Sequence, residues 1–463
     1  MGGGSEQDLS LRGVGKGSTI AAWKQAARAE LARASGEDYV QILLDLVKAF
    51  ERIPYRVLLR EAKRLGYPLR LLRLAIATYR LSRSVRVGDA MSDLVVAIRG
   101  IVAGSGTATT EMRIVMVDIV DAALTFCPHV VPTLFVDDLA LEHSGKDRQE
   151  LTTTIANFTK AVMRRISDDS MEVNLVKSLV SASKPSIAAE VVGALGDSKL
   201  TISHRVKSLG VGLAAGTARN VRVQNSRLKK FKQRLPRFRL LRRAGVDTAK
   251  VYRTGGGAAV MHGSHTNGVS PSMLLSQRRA ATAATAPGSG FGGQDLEIAM
   301  MIADGKVKGK ADPAFAAHAD VVGHWAKAVW NSWLAIDSLQ MSLQDAKRRV
   351  ANAKRPWSIV YGPAAGLVCT LDRVGWTIES ASSIVSDIGT RFDLTEDPPI
   401  VIERSMNESV RRWRWRNVAE KNASMPDIGA NWGPIAKLLE SKRCDCEWNP
   451  MLRGSLKSAL ANR

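Results

Sequence analysis

Two adjacent carboxylates, Asp137 and Asp138, stand between short apolar runs at 134–136 and 139–141. Apolar runs on both sides of a polar pair predict a β-hairpin with the acids at its turn. Two carboxylates held together repel each other, and Mg²⁺ relieves such repulsion by binding one or two carboxylates together with substrate phosphates. The pair therefore indicates a metal site, although an acidic dipeptide is also ordinary turn chemistry.

Four further stretches accompany the acidic pair in a fixed order. Asp45 follows an apolar run, and Phe50 stands five residues after Asp45. A glycine-rich turn at 103–106 comes next. The stretches 174–178 and 206–211 come after the pair. In this order the five stretches resemble the successive palm motifs of reverse transcriptases, most closely those of the non-LTR retrotransposon type.

The resemblance implies template-directed DNA synthesis by nucleotidyl transfer with two metal ions, Mg²⁺ or Mn²⁺. It makes Asp45 and Asp137 the principal metal ligands, with Asp138 assisting and the backbone carbonyl of Leu46 as a neutral ligand. Lys177 is similar to the lysine that protonates the leaving pyrophosphate in this family. An ordinary surface lysine is the alternative interpretation of Lys177.

Substrate choice in this family depends on an aromatic side chain that Phe50 matches. A bulky ring there blocks the sugar 2′-hydroxyl, so the resemblance implies deoxynucleoside triphosphates as substrates and disfavours an RNA-dependent RNA polymerase. A core aromatic residue is the alternative. The turn formed by Ala103, Gly104, Ser105 and Gly106 resembles the family's nucleotide-binding turn, in which a glutamine usually stands where this chain has Ala103.

The formal net charge is +22, with 66 basic and 44 acidic residues, and a positive field of this size favours nucleic acids. Residues 226–243 contain nine basic residues and no acidic one, at the position of a polymerase thumb, and Pro236 is expected to kink or split that helix. A solvated face is the alternative for this segment, as is packing for the Arg-Trp run at 411–416. The candidates for nucleic-acid contact, which also include a segment resembling a primer grip, are Lys207, Gly210, Lys229, Lys230, Lys232, Arg234, Arg237, Arg411, Trp413 and Trp415.

The elements needed to position these residues predict an α+β fold. Hydrophobic periodicity and helix stop signals place helices at 19–34, 54–65, 69–81, 107–126 and 150–166. The resemblance implies a reverse-transcriptase palm, that is, a ferredoxin-like split βαβ sheet with helices, followed by a helical thumb and a helical C-terminal module.

Composition divides the chain into four segments. We expect partial fingers and the palm at 1–215, a basic thumb-like segment at 216–254, a Gly/Ala/Ser-rich flexible linker at 255–294 and a Trp-rich, mainly helical module at 295–463. Only 44 residues precede Asp45, so the fingers are expected to be truncated.

The expected partners are an RNA template, a DNA primer and deoxynucleoside triphosphates, while protein partners stay open. No apolar run reaches the roughly 18 residues that a membrane-spanning helix needs, and the N-terminus lacks a signal-peptide core. With scattered cysteines, this predicts an intracellular protein, nuclear or cytoplasmic, without a membrane partner. The alternative function is a catalytically inactive RNA- or DNA-binding remnant on the same scaffold.

Overall fold

The structure, a computed structural model, describes residues 17–196, 199–285, 296–297, 300 and 311–420. It divides into two compact units. The N-terminal unit comprises Met1–Leu209 and Leu213–Thr217, and the C-terminal unit comprises Gly210–Gly212 and Ala218–Arg463. The helices described within the segments predicted as thumb, linker and C-terminal module belong to the C-terminal unit and pack on one another.

The strands up to Leu213 form one five-stranded sheet and two two-stranded sheets. The main sheet of the N-terminal unit has five strands in the order β4-β5-β1-β6-β7, and β2 and β3 form a separate hairpin. Neighbouring strands of the main sheet are antiparallel except β6 and β7. The strands are β1 (Asp38–Leu44), β2 (Arg86–Val87), β3 (Ala90–Met91), β4 (Val131–Phe135), β5 (Asp138–Gly145), β6 (Leu179–Ala182), β7 (Thr201–Ile202), β8 (Val206–Ser208) and β9 (Val211–Leu213).

Seven helices accompany these strands in the described part of the N-terminal unit. The five predicted helices are all present, with ends that differ by a few residues from the predicted ones. The helices are α1 (Ser18–Ala34), α2 (Ala49–Arg52), α3 (Tyr55–Arg64), α4 (Leu69–Tyr79), α5 (Ala108–Leu124), α6 (Arg148–Asp168) and α7 (Pro185–Leu195). With the mixed sheet they confirm the predicted α+β class.

One face of the main sheet carries the core. Because side chains alternate along a strand, Ile42 and Leu44 of β1 share this face with their partners Leu141 and Leu139 of β5. These side chains are buried together with apolar residues of α5 and α6. A fully buried side chain such as Phe158 of α6 contributes about 1.5–3 kcal/mol relative to an exposed one.

The other face of the sheet is polar and also buried. Arg28 of α1 forms an ion pair with Glu142 of β5 and donates a 3.0 Å hydrogen bond to Thr133 Oγ1. The Tyr39 hydroxyl donates to Glu142 Oε1 over 2.6 Å. Since buried charges are stable only when paired and hydrogen-bonded, this network fixes α1 against the sheet.

The C-terminal unit is mainly helical, as predicted for its Trp-rich part. It also contains a short π-helix (Tyr252–Gly257), a 3-10 turn (Pro356–Ile359) and a three-stranded antiparallel sheet, which was not predicted. Its elements are α8 (Arg222–Arg243), α9 (Thr248–Val251), α10 (Ala258–Met261), α11 (Ser264–Asn267), α12 (Pro271–Thr285), α13 (Pro313–Trp330), α14 (Ile336–Ala351), α15 (Pro363–Val374), β10 (Thr377–Ser380), β11 (Ser383–Val385), β12 (Arg391–Asp393) and α16 (Pro399–Ala419).

The prediction of a flexible linker at 255–294 is wrong for the part that the structure describes. Helices α10, α11 and α12 occupy most of 258–285, and Val260, Leu274 and Ala281 are buried. The composition misled because small residues are typical of linkers, yet alanine is also the strongest helix former and allows close helix packing. Residues 286–294 lie outside the described residues, as do 1–16 and 421–463 of the predicted terminal segments.

None of the helices in the described parts of the chain combines the length and the apolar character needed to cross a membrane.

Candidate functional site

The hairpin predicted around the acidic pair is present. Phe135 at the end of β4 pairs with Asp138 at the start of β5, so Val136 and Asp137 are the two turn residues. Val136 has φ 62°, a left-handed conformation that a β-branched residue adopts only under strain. The strands therefore impose the shape of the tip, and the tip presents Asp137.

Strand register brings Asp45 next to Asp138. Leu44 is the last residue of β1 and pairs with Leu139 of the antiparallel β5, so the following residue of β1 and the preceding residue of β5 are neighbours. Both carboxyl groups lie on the face opposite the apolar core, because successive side chains alternate. The Asp45 backbone is anchored: its N–H donates to Ser178 Oγ over 3.0 Å.

The acids share one electrostatic environment. Burial raises the pKa of Asp137, a backbone hydrogen bond opposes this, and the negative charges of Asp45 and Glu51 raise it further. Burial also raises the pKa of Asp138, followed by the charges of Asp137 and Asp45, while Lys207 lowers it. Like charges shift a pKa in this way only at short range, so the three predicted metal ligands form a cluster.

A cavity of about 110 Å³ opens beside this cluster. Asp45 and Asp138 line it together with Lys177, Lys207 and Gln25. Four predicted site residues from four separate motifs thus meet at one place, while Asp137, at the hairpin tip, is not among the described lining residues. A water molecule occupies about 30 Å³ of liquid, so the cavity accommodates a phosphate-sized group rather than a whole nucleotide.

The acid cluster fits the ligand preferences of Mg²⁺ in part. No group of three or more His, Cys, Asp or Glu side chains arranged to hold a metal ion lies within the described residues. Mg²⁺ is usually bound by one or two carboxylates, with waters and substrate phosphates completing the shell, so three protein ligands are not required. Asp45 and Asp138, on the wall of one cavity, provide such a pair.

A comparison with protein-family models finds no match for the chain, and a comparison with curated proteins finds none either.

The backbone of Leu46 is oriented by its bridge to Val173. The flanking groups make the hydrogen bonds of this bridge: Val47 N–H donates to Glu172 O over 2.8 Å, and Asn174 N–H donates to Asp45 O over 2.7 Å. In a pair of this type the central residues direct their own N–H and C=O groups away from each other. The Leu46 carbonyl therefore points to the side of β1 on which β5 and the acidic pair lie.

Phe50 lies in α2, half-buried against the core of the N-terminal unit. Its carbonyl accepts a 2.7 Å hydrogen bond from Ile101 N–H, which joins α2 to the start of the glycine-rich turn. At Gly100 φ is 96°, and a Cβ would lie 2.7 Å from Glu51 O, so only glycine allows this approach. The role of Phe50 in substrate choice stays a prediction.

The turn itself exposes its backbone. Ala103, Gly104 and Gly106 are exposed, and a Cβ added at either glycine would meet open space. Tyr79 fixes the Ser105 side chain, because the Tyr79 hydroxyl donates a 3.2 Å hydrogen bond to Ser105 Oγ. The turn has room for a ligand to approach its backbone, although none of these residues is among those described as lining the acid cavity, and its contact with a nucleotide stays a prediction.

The predicted basic helix is α8, which extends from Arg222 to Arg243 and continues through Pro236. Of the two outcomes expected at Pro236, a kink or a split, the split is wrong: the helix is continuous, and Phe231 and Phe238 are buried on either side of the proline. The predicted contact residues on this helix all face solvent: they are Lys229, Lys230, Lys232, Arg234 and Arg237.

A groove of about 770 Å³ follows α8 within the C-terminal unit. Lys229 and Lys232 of α8 line it together with Arg219 and the hydroxyl-bearing residues Ser272 and Ser276 of α12. Lys232 Nζ donates to Ser276 Oγ over 2.8 Å. Cations and hydroxyls along an open groove suit a phosphate backbone. Sequence analysis missed Arg219 and Ser276, because nothing in the sequence indicated that α12 packs beside α8.

The predicted primer-grip segment turns at Leu209 and Gly210, both with positive φ. Two consecutive residues of this kind are typical of a tight hairpin turn. At Gly210 φ is 79°, and a Cβ would lie 2.7 Å from Nη2 at the flexible end of Arg227, so it is mainly the left-handed backbone that favours glycine. The role of Gly210 in holding a primer stays a prediction.

In the Arg-Trp run of α16, for which packing and nucleic-acid contact were both open, burial differs from residue to residue. Trp415 is only 8 % exposed, so burial contradicts its assignment as a stacking platform for a base. Trp413 is partly buried, with its ring centroid 5.6 Å from that of His318. Arg411 is exposed and pairs with Glu408. The helical period explains this: α16 packs one face inward, and a run of six residues covers more than one turn.

Proposed function

We propose that the chain adds deoxynucleotides to the 3′ end of a primer, with RNA as template, in the manner of a reverse transcriptase. The carrying observation is that strand register places Asp45 beside Asp138, and that Lys177 and Lys207 line the same cavity. These residues come from motifs far apart in the sequence, so their convergence is what a nucleotidyl-transfer site requires.

The strand order supports the finer assignment of a palm. The strands β1, β4, β5 and β6 follow the connectivity strand, helix, hairpin, helix, strand, with β5 between β4 and β1. This is the arrangement expected of a split βαβ sheet. We therefore propose a reverse-transcriptase palm within the α+β fold.

Each residue of the site has a defined task in the proposed reaction. The oxygen of the primer 3′-hydroxyl loses its proton to solvent water and forms a bond to the α-phosphorus, and the bond from that phosphorus to pyrophosphate breaks. Asp45, Asp137 and Asp138 would hold the divalent cations, the Leu46 carbonyl would add a neutral ligand, and Lys177 donates a proton to the leaving pyrophosphate. Bound Mg²⁺ or Mn²⁺ would lower the pKa of the hydroxyl and neutralise the triphosphate.

Selection of the nucleotide is assigned to two neighbouring elements. Phe50 excludes the 2′-hydroxyl, and the exposed backbone at 103–106 contacts the incoming nucleotide. The hydrogen bond between Ile101 and the Phe50 carbonyl supports a shared role, because it fixes the turn relative to α2.

Primer extension on an RNA template with Mg²⁺ or Mn²⁺ tests the proposal. The native chain is compared with Asp137→Asn, and Asp93→Asn, which removes an exposed acid of the same unit, serves as the matched control. We expect extension by the native chain and by the control, and none by Asp137→Asn. Equal extension by all three proteins, or by none, would contradict the proposal.

A second candidate function is nucleic-acid binding without catalysis. The groove along α8 favours it, because its lysines need no contribution from the acids. Salt-sensitive binding of RNA or DNA by the native chain, without extension, identifies this function. An intracellular location, nuclear or cytoplasmic, belongs to both candidates as a proposal.

A further inference from the structure

Gln25 lies on α1, at the inner wall of the acid cavity. The side chain is 1 % exposed, and its Oε1 has no hydrogen-bond partner among the described residues. It lines the cavity together with Asp45, Asp138, Lys177 and Lys207. Native proteins rarely leave a buried amide oxygen unpaired, because the group has given up its water without a replacement.

A second amide provides the comparison. Gln41 of β1 is also 1 % exposed, and its Nε2 has no hydrogen-bond partner within the described chain. Gln41 does not border the acid cavity among the residues described there. The two side chains share chemistry and burial and differ in access to the cavity, so only Gln25 is placed to meet a ligand.

The geometry points to Gln25 as a ligand-binding residue of the acid cavity, whose amide hydrogen-bonds a sugar–phosphate group that enters the cavity beside Lys177 and Lys207. The inference rests on the proposed function. An amide can donate to a phosphate oxygen and accept from a sugar hydroxyl, the lysines attract the phosphate, and the cavity has room for the phosphate of such a group. The group belongs either to a deoxynucleoside triphosphate or to the primer 3′ end.

Binding measurements on the full chain test this inference. Gln25→Met and Gln41→Met replace each amide by an apolar side chain of similar length. We expect both variants to unfold at a temperature equal to or above that of the native chain, because each loses an unpaired buried polar group. With Mn²⁺ present, Gln25→Met should bind a deoxynucleoside triphosphate or a primer–template about tenfold or more weakly than the native chain does. Gln41→Met should bind both as the native chain does.

The two ligand sources are separated by two titrations, one with a deoxynucleoside triphosphate and one with a primer–template. A loss confined to one of them identifies that source. Unchanged affinity of Gln25→Met for both overturns the inference, as does a native chain that binds neither. Should Gln25→Met fail to fold, Gln25→Glu keeps the shape and adds a negative charge, and it must also weaken binding.

Failure of the proposed function has a different signature. A native chain that binds either ligand but extends no primer refutes catalysis, while the comparison of Gln25→Met with Gln41→Met still decides the role of Gln25.

Discussion

Asp138 lies beside Asp45 because Leu44 and Leu139 are partners in adjacent strands. Burial and the charges of Asp137 and Asp45 raise the pKa of Asp138. Acids whose pKa rises on folding make the folded state less stable whenever they are ionised. The acid cluster therefore costs stability near neutral pH.

Asp137→Asn is expected to raise the melting temperature at pH 7. The pKa of Asp137 is raised in the folded state, so its destabilising effect is absent below the ordinary carboxyl pKa of about 4 and grows as the pH rises through the raised value. The melting temperatures of the native chain and the variant are compared at about pH 3.5, where the effect is absent, and at about pH 7, where it is present. Asp93→Asn is the control, and a lower melting temperature for Asp137→Asn at pH 7 would refute the prediction.

Lys177→Met is expected to slow single-turnover extension by about 10²-fold or more, the usual contribution of a general acid. The affinity for nucleotide should change much less, since the cavity retains Lys207. Lys160→Met removes an exposed lysine of α6 and is the matched control. Equal rates for the two variants would show that Lys177 is an ordinary surface residue.

Phe50→Ala is expected to admit ribonucleotides, with about a 10- to 100-fold gain in their incorporation relative to deoxynucleotides. The reason is steric: the smaller side chain leaves room for a 2′-hydroxyl. Competitive incorporation measures the ratio, and Phe126→Ala, which removes an exposed ring, controls for general effects. A ratio that stays at the native value would leave Phe50 as a core residue.

Arg28→Met is expected to destabilise the protein by about 3–5 kcal/mol, because it leaves Glu142 charged, buried and without its ionic partner. Urea unfolding measures the loss. The double variant Arg28→Met with Glu142→Gln removes both charges and should recover part of the stability. A single variant within about 0.5 kcal/mol of the native chain would mean that the pair does not hold α1 on the sheet.

Lys229→Ala combined with Lys232→Ala is expected to weaken RNA and DNA binding and to reduce the salt dependence of log K by about one unit of slope per lysine. Binding at several salt concentrations measures the slope. Lys354→Ala, an exposed lysine of the same unit outside the groove, should have no effect. An unchanged slope in the double variant would show that the groove does not bind the phosphate backbone of a nucleic acid.

The acid hairpin and the helices of the N-terminal unit were predictable because each depends on local pattern. Short apolar runs on both sides of Asp137 and Asp138 predict a hairpin turn, and periodic apolar residues predict α5 and α6. The meeting of Asp45 with Asp138 was predictable only through the resemblance, because register between strands more than 90 residues apart is not encoded locally.

Other features were beyond sequence reasoning because they depend on tertiary packing. Gln25 stands beside Lys24 in an alanine-rich helix, and the sequence does not reveal that its side chain is buried. The burial of Trp415 depends on which face of α16 meets the rest of the unit, and the order in 258–285 depends on neighbours that the composition does not reveal.

The left-handed backbone at Val136 has a practical consequence for every experiment on the acids. Val136 adopts this conformation against its own backbone preference, at a cost of about 1–3 kcal/mol. The pairing of β4 with β5 on both sides of the turn imposes it. The geometry of the turn should survive exchange of a neighbouring carboxylate for an amide. Lost turnover in such a mutant can then be attributed to missing charge instead of a collapsed loop.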